Sequence, residues 1–159
     1  MNYCPSCATK LKETIIEGNE KLACPAANCE FVFWENPTPV VAMLVETPQG
    51  VVFARNVAWP RHFYSIITGF LEKAEDPKDC AIRETKEELG LVAQSCELIG
   101  VYPFEMQNQV IIGYHIVADG EITLNEELDD FKYMQAEGIK PWDMGTGLVI
   151  SDWLNSRKN

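Results

Sequence analysis

An α/β fold of the α+β kind, preceded by a small metal-stapled ribbon, is what this sequence predicts. Three observations carry the prediction. Short β-branched and aromatic runs recur from "VVAMLVE" to "QVIIGYHIVA" without regular alternation with helices. One strongly helical segment runs from Pro77 or Lys78 to Leu89. Four of the six cysteines fall into two close pairs near the start of the chain. With 47% hydrophobic residues in 159, the chain can bury a core of its own, which excludes a disordered polypeptide.

The elements follow in order. Residues 1–36 alternate cysteine turns with short extended stretches, and "CPSC" and "CPAANC" place Cys4, Cys7, Cys24 and Cys29 as thiolate ligands for structural Zn2+. Zinc would staple a segment too short to fold on its own core; the alternatives are free thiols or oxidised bridges. Cys80 and Cys96 have no neighbouring partner and read as buried bystanders. "NPTP", residues 36–39, reads as a linker, because two prolines exclude helix and withhold strand donors. The second unit therefore covers 37–159. Its first two strands, "VVAMLVE" and "VVFAR", flank "TPQG", a plausible hairpin turn. A strand "YSIIT" leads into "GFLEKAEDP" and the helix, which has proline at its start and Gly90 past its end, where helices prefer them. Strands around "CELIGVY" and "QVIIGYHIVA" follow, then an acidic loop "DGEITLNEELDD" and a closing amphipathic helix in "GLVISDWLNSRK".

A formal net charge of -11 argues against general binding to a nucleic-acid backbone, whose affinity comes from lysine and arginine. The lysines of "KETIIEGNEKLA" are matched by as many acids, so the ribbon adds no strong nucleic-acid signal. Neither a signal peptide nor a membrane-spanning run is found, and a cytoplasmic protein is expected.

The helix "RETKEELG" crowds Glu84, Glu87 and Glu88 into five positions. At 100° per residue they share one side, while Ala81, Ile82, Thr85 and Leu89 form the expected packing side. Like charges four residues apart cost a few tenths of a kcal/mol on a bare helix, a sign that a hard divalent cation with oxygen ligands reverses. A solvated acidic face is the bland alternative. Arg83 stands at the edge of the carboxylates, able to hold one of them or Glu75 in a fixed orientation.

The segment before the helix discriminates between the two. Gly69 is followed after five residues by Glu75, after seven more by Arg83-Glu84, then by Glu87-Glu88, Gly90 and Leu91. This resembles the Nudix box, G-x5-E-x7-R-E-U-x-E-E-x-G-U, with Thr85 at a position that is usually bulky and aliphatic. The approach "YSIITGFLEKAED" is similar to that of the NADH pyrophosphatase branch, which also carries a four-cysteine zinc ribbon. The resemblance implies an α/β/α sandwich with a mixed sheet, and hydrolysis of a nucleoside diphosphate linked to another group with Mg2+ or Mn2+. It implies that Glu84, Glu87 and Glu88 are metal ligands, with the Gly69 carbonyl as a further one, and that Arg83 and Glu75 orient them. Glu87, or Glu127 from the acidic loop, is the candidate general base, and Glu127 is also a candidate ligand. Phe63, Tyr64, Phe70, Tyr102 and Phe104 are candidates for stacking on a base or flavin-like ring. The branch's downstream Ser-Gln-Pro-Trp-Pro-Phe-Pro run is reduced here to Pro103-Phe104, which shifts the expected substrate from NADH toward FAD, ADP-ribose and similar adenine diphosphates. A homodimer is implied as well. A ligand sensor, a zinc-ribbon binding module and a hydrolase of nucleotide-capped RNA ends are the competing functions.

Overall fold

The computed structural model describes residues 1–158 and divides the chain into two compact units, Met1–Asn36 and Pro37–Asn159. The first unit is a three-stranded antiparallel sheet of β1 (Lys12–Ile16), β2 (Asn19–Ala23) and β3 (Val32–Phe33). Glu17 and Gly18 turn the first hairpin, both with positive φ. Few of its side chains are buried beyond Cys4 and Leu11, so this unit has almost no hydrophobic core to hold it.

The second unit is built on one mixed sheet. Its strands are β4 (Thr38–Thr47), β5 (Gly50–Asn56), β6 (Ile67–Phe70), β7 (Val92–Phe104), β8 (Gln109–Asp119) and β9 (Leu128–Met134). Their order is β7-β8-β4-β5-β9, with β6 also paired to β4. β4 runs parallel to β8 over nine pairs, from Thr38↔Gln109 to Glu46↔Val117, and every other pairing is antiparallel. The linker reading of residues 36–39 is corrected here. Thr38 and Pro39 already belong to β4, whose position allows a proline at the strand's first turn of the ladder.

Side chains alternate across the sheet, so β4 serves two cores. Val41, Met43 and Val45 pack with Cys80, Ala81 and Leu89 of α1 (Pro77–Leu89); Ala42 and Leu44 pack with Val149, Ile150 and Trp153 of α2 (Thr146–Ser156). The result is helix, sheet, helix, the expected sandwich. Cys80 and Cys96 are both buried in the first core. Among the described residues, no helix is long and apolar enough to cross a membrane.

One edge of β4 is shared between two strands. β5 holds it at only Glu46↔Val51 and Thr47↔Gly50, then diverges, and β6 takes over at Val40–Met43. Between β5 and β6 a single bridge remains, in which Ala54 and Ser65 exchange backbone hydrogen bonds of 2.9 and 3.0 Å. The strand expected at "YSIIT" thus reduces to this bridge plus β6 two residues later. β9 is also new, since its first three residues fall inside the stretch read as an acidic loop.

Candidate active site

The splay between β5 and β6 opens above the end of α1, and the sequence of α1 explains why carboxylates gather there. Asp76 caps the helix by accepting from the Lys78 N–H at 2.8 Å, worth about 1 kcal/mol, and Pro77 follows it at a position that needs no N–H. Gly90 ends it with φ 71°, a left-handed conformation that glycine adopts without a Cβ penalty. The loop after β8 then docks on the open carbonyls, Thr123 N–H donating to Leu89 and Asn125 N–H to Glu88.

The faces of α1 differ from the expected ones. Ile82 is exposed, while Glu88 is only 5% exposed and sits in the stripe formed by Ala81, Thr85 and Leu89. In angular terms Glu88 falls between Glu84 and Ala81, on the border where the carboxylate side meets the packed side. Thr85 is fully buried, and its hydroxyl donates to the Ala81 carbonyl at 2.8 Å, which satisfies the polar atom that replaces an aliphatic one.

Around this helix Arg83 acts as a hub. Its Nε and Nη2 donate to the two Glu75 oxygens at 2.7 and 2.9 Å, and its Nη1 donates to Glu84 and Glu87, both at 2.9 Å. Glu75 also accepts from the Glu72 backbone N–H. The Arg83 bonds, followed by that backbone donor, hold the Glu75 carboxyl at about 2. Glu84 lies across Gly69: a Cβ on that glycine would meet Glu84 side-chain atoms at 2.3–2.7 Å. Burial raises the Glu84 pKa against the lowering effect of Arg83.

Glu88 differs from the others. No described residue gives its carboxylate a hydrogen bond or an ion pair. Burial, then the nearby charges of Glu84, Glu127 and Glu87, push its pKa up to about 8. Glu88 and Glu127 line one niche of about 30 Å³ together with Ala54, Trp59 and Thr68. Glu84, Glu127 and Glu87 act on Glu88 through their charge, while among the described residues the one group of ligand atoms already close enough to hold an ion is the cysteine set.

Trp59 and Thr68 also line a larger cavity of about 420 Å³ on the α2 side of the sheet. Phe63, Phe70 and Phe104 line it, as do Trp142, Gln107 and Gln109; no lining side chain is charged. Trp59 meets Phe63 edge-on at 5.1 Å, and Phe63 meets Trp142 at 5.9 Å, a wall of rings suited to a planar ligand. Tyr64 and Tyr102 do not line it. The Tyr64 hydroxyl donates to Asp130, and the Tyr102 hydroxyl donates to Asp152 at 2.7 Å. Sequence reasoning missed Trp59 and Trp142, which lie 83 residues apart and carry no shared local pattern.

In the first unit the four cysteine sulfurs lie within 4.8 Å of one another. Cys4 and Cys29 approach to 3.6 Å and Cys7 and Cys24 to 3.4 Å, with no disulfide formed. Hydrogen bonding to the side chain and backbone of Thr9 holds the Cys7 thiol low, at about 6, whereas Cys29, despite a lowering backbone bond with Phe31, is pushed up to about 12 by the Cys4 sulfur and burial. The looser four-residue spacer of the second pair is accommodated by a turn in which Cys29 N–H donates to Ala26.

Comparison with known proteins agrees with this geometry. The family model described as the NUDIX domain matches residues 36–151. A Pseudomonas putida protein named NAD-capped RNA hydrolase NudC is 24% identical over 149 residues, 92% of this chain and 52% of its own. The Pseudomonas aeruginosa protein of that name is 26% identical over 141 residues, 87% of this chain and 49% of its own. The Mycobacterium bovis one is 24% identical over 120 residues, covering 38% of its length. This chain therefore spans about half, or less, of the curated relatives it matches. Among solved structures, a Nudix hydrolase from Nitrosomonas europaea has a TM-score of 0.81 at 23% identity, covering 99% of this chain and 93% of that one. A putative Nudix family member from Chromobacterium violaceum has a TM-score of 0.63 at 17% identity, covering 78% and 81%.

Proposed function

From the premise that this chain belongs to the Nudix family, we propose that it is a divalent-metal-dependent hydrolase of the diphosphate linkage in a nucleoside diphosphate derivative. The carrying observation is Glu88: a residue 5% exposed, given no hydrogen bond or ion pair by any described residue, under the charge of Glu84 and lining with Glu127 a niche that shares Trp59 and Thr68 with an aromatic cavity. One position satisfies a diphosphate through cations, and the other takes a ring.

Glu84, Glu87 and Glu88 would hold Mg2+ or Mn2+, with the Gly69 carbonyl and Glu127 as further ligands. Bound there, the ions neutralise phosphate charge and lower the pKa of a water molecule. Arg83 and Glu75 keep the carboxylates in place: one guanidinium spans Glu75, Glu84 and Glu87, so the three cannot move independently. Water adds to one phosphorus, its proton passes to a carboxylate of Glu87 or Glu127, and the bridging P–O bond breaks to release AMP or another nucleoside monophosphate. The ring of the substrate lies among Trp59, Phe63, Phe70, Phe104 and Trp142. The relatives' stated action on NAD-capped RNA supports an NAD-type substrate beside FAD and ADP-ribose, and the net charge of -11 favours the free dinucleotide over RNA.

The first unit reads as a zinc ribbon, whose four thiolates would hold one Zn2+ in place of a hydrophobic core. Cytoplasmic location and a homodimer belong to the same proposal; six unbridged thiols support the first, and light scattering would read the second. The deciding experiment incubates the protein with FAD, ADP-ribose, NADH, NAD or diadenosine polyphosphates and Mg2+ or Mn2+, with product chromatography, beside Glu87→Gln. AMP formed by the wild type and lost in the variant is the expected result. Binding of one of these compounds with none of them cleaved would replace the hydrolase reading by that of a sensor.

A further inference from the structure

We propose that Arg55 is a positioning residue that holds the ring-binding wall and Glu127 in one frame, coupling the two halves of the site. The inference rests on the hydrolase reading for its kinetic form only.

Its basis is a β-bulge. Arg55 of β5 pairs with Asp130, yet Asn56 pairs with Leu128, so Asp129 is an extra residue in β9. Such a bulge re-aims the chain beside it, here Leu128 and Glu127. The extra residue is then used: Arg55 Nε donates to Asp129 Oδ1 at 2.6 Å. Arg55 Nη1 donates to the Arg61 carbonyl at 2.8 Å and approaches the Tyr64 hydroxyl at 3.3 Å. Tyr64 in turn donates to Asp130, and the Lys132 ammonium covers its ring at 4.3 Å.

Two separate pieces of the site hang from this fork. The Arg61 carbonyl lies in the loop 57–63, whose Trp59 and Phe63 face the large cavity. Asp129 lies two residues from Glu127, which lines the carboxylate niche. The loop and Glu127 are also tied directly, since Val57 N–H donates to the Glu127 carbonyl at 2.9 Å. Asn56 closes the loop from its other end, accepting from Ala58 N–H on its side chain and from Trp59 N–H on its carbonyl. The Arg55 side chain is 14% exposed and touches neither cavity lining. Only a planar, multi-donor cation can serve Asp129, Arg61 and Tyr64 together; a lysine ammonium on the same stem cannot match the fork.

The test compares wild type, Arg55→Met, Arg55→Lys, Tyr64→Phe and the control Arg157→Met. The control removes an arginine bonded to Glu46 at 2.9 and 3.1 Å at a remote end of the sheet. Melting temperature, kcat and KM are read with the best substrate and Mn2+, and the Kd for ADP-ribose by calorimetry without added divalent ions. Arg55→Met should raise KM and Kd about tenfold and lower kcat by a similar factor, because ring wall and Glu127 loosen together. Arg55→Lys should not restore either value, Tyr64→Phe should fall between, and Arg157→Met should lower the melting temperature alone. KM, kcat and Kd of Arg55→Met within twofold of wild type, at a temperature where it is folded, would overturn the inference. Wild type that binds ADP-ribose and cleaves none of the candidate substrates would sink the hydrolase reading while the Kd comparison still decides the role of Arg55. Wild type that neither binds nor cleaves would sink both.

Discussion

Glu88→Gln should stabilise the protein in the absence of added divalent ions and remove the stabilisation that those ions confer. The carboxylate of Glu88 moves from an ordinary 4.5 to about 8 in the folded chain, chiefly through burial. A raised carboxylate pKa means that the folded state binds the proton more tightly than the unfolded state. Stability is therefore greatest below pH 4.5 for this group, falls as pH rises from there, and levels off above about pH 8. At 1.36 kcal/mol per pH unit the full loss is about 4–5 kcal/mol, an upper figure that partial solvation reduces. Glutamine has the shape of the protonated acid and cannot ionise, so the variant escapes the loss. For a domain of this size the melting temperatures should be close at pH 4.5 and differ by on the order of 10 °C at pH 9. The assay is thermal unfolding from pH 4.5 to 9 in buffers without added divalent ions and without chelator, which would strip the ribbon. A second series adds Mn2+, which at a hundredfold excess over its Kd stabilises a binding protein by about 2.7 kcal/mol. Wild type should gain this and the variant should not. A difference between variant and wild type that fails to grow with pH, or equal stabilisation by Mn2+, would refute the account of Glu88 as a buried, unpaired ligand.

Gly69→Ala should lower hydrolysis about a hundredfold with little change in melting temperature, since a Cβ there meets Glu84 at 2.3–2.7 Å and the side chain must leave the strand; activity kept within twofold would contradict that close approach. Arg83→Met should flatten the acid limb of the stability curve. Glu75, held at about 2, contributes stability above its ordinary 4.5 that is lost as pH falls toward 2, and melting temperatures between pH 3 and 6 will have equal slopes in both proteins if the pair carries no folding free energy. Cys24→Ser should take zinc from about one per chain to none by elemental analysis and unfold the first unit, because no hydrophobic core replaces the staple; retention of the metal would remove Cys24 from the ligand set.

Helix α1 was the most legible part of the chain. Its spacing from Gly69 to Leu91 is local, and proline and glycine mark its ends by simple backbone physics. The cysteine pairs were legible for the same reason, as thiolates close in sequence have few other uses in a ribbon. What stayed hidden depended on contacts across the chain. The burial of Glu88 stayed hidden because its angle sets it on the border between Glu84 and Ala81, where only the chain packed against that border decides its exposure. β9 begins "LDD" and lacks an alternating pattern at its start, since the bulge at Asp129 breaks the period of two. Trp59 and Trp142 converge only through the fold, from a loop after β5 and the approach to α2. Tyr64 looked like Phe63 in sequence, yet one residue of difference turns it to Asp130.

The shared edge of β4 has a mechanical consequence. β5 and β9 form a flap whose backbone joins the rest of the sheet at the hairpin of residues 46–51 and at the bridge between Ala54 and Ser65, and whose Val51, Val52, Phe53, Ala54 and Leu128 are anchored in the two cores. Walls of the carboxylate niche stand on both sides of that seam: Ala54 and Glu127 with the flap, Thr68 and Glu88 with the body. Parting the seam at Ala54 and Ser65 breaks two backbone hydrogen bonds and leaves the nine-pair ladder between β4 and β8 untouched, whereas swinging the whole flap outward would also expose Val51, Val52, Phe53 and Leu128 from the two cores. Solvent deuterium should therefore reach the amides of Ala54 and Ser65 well before those of Val41–Val45.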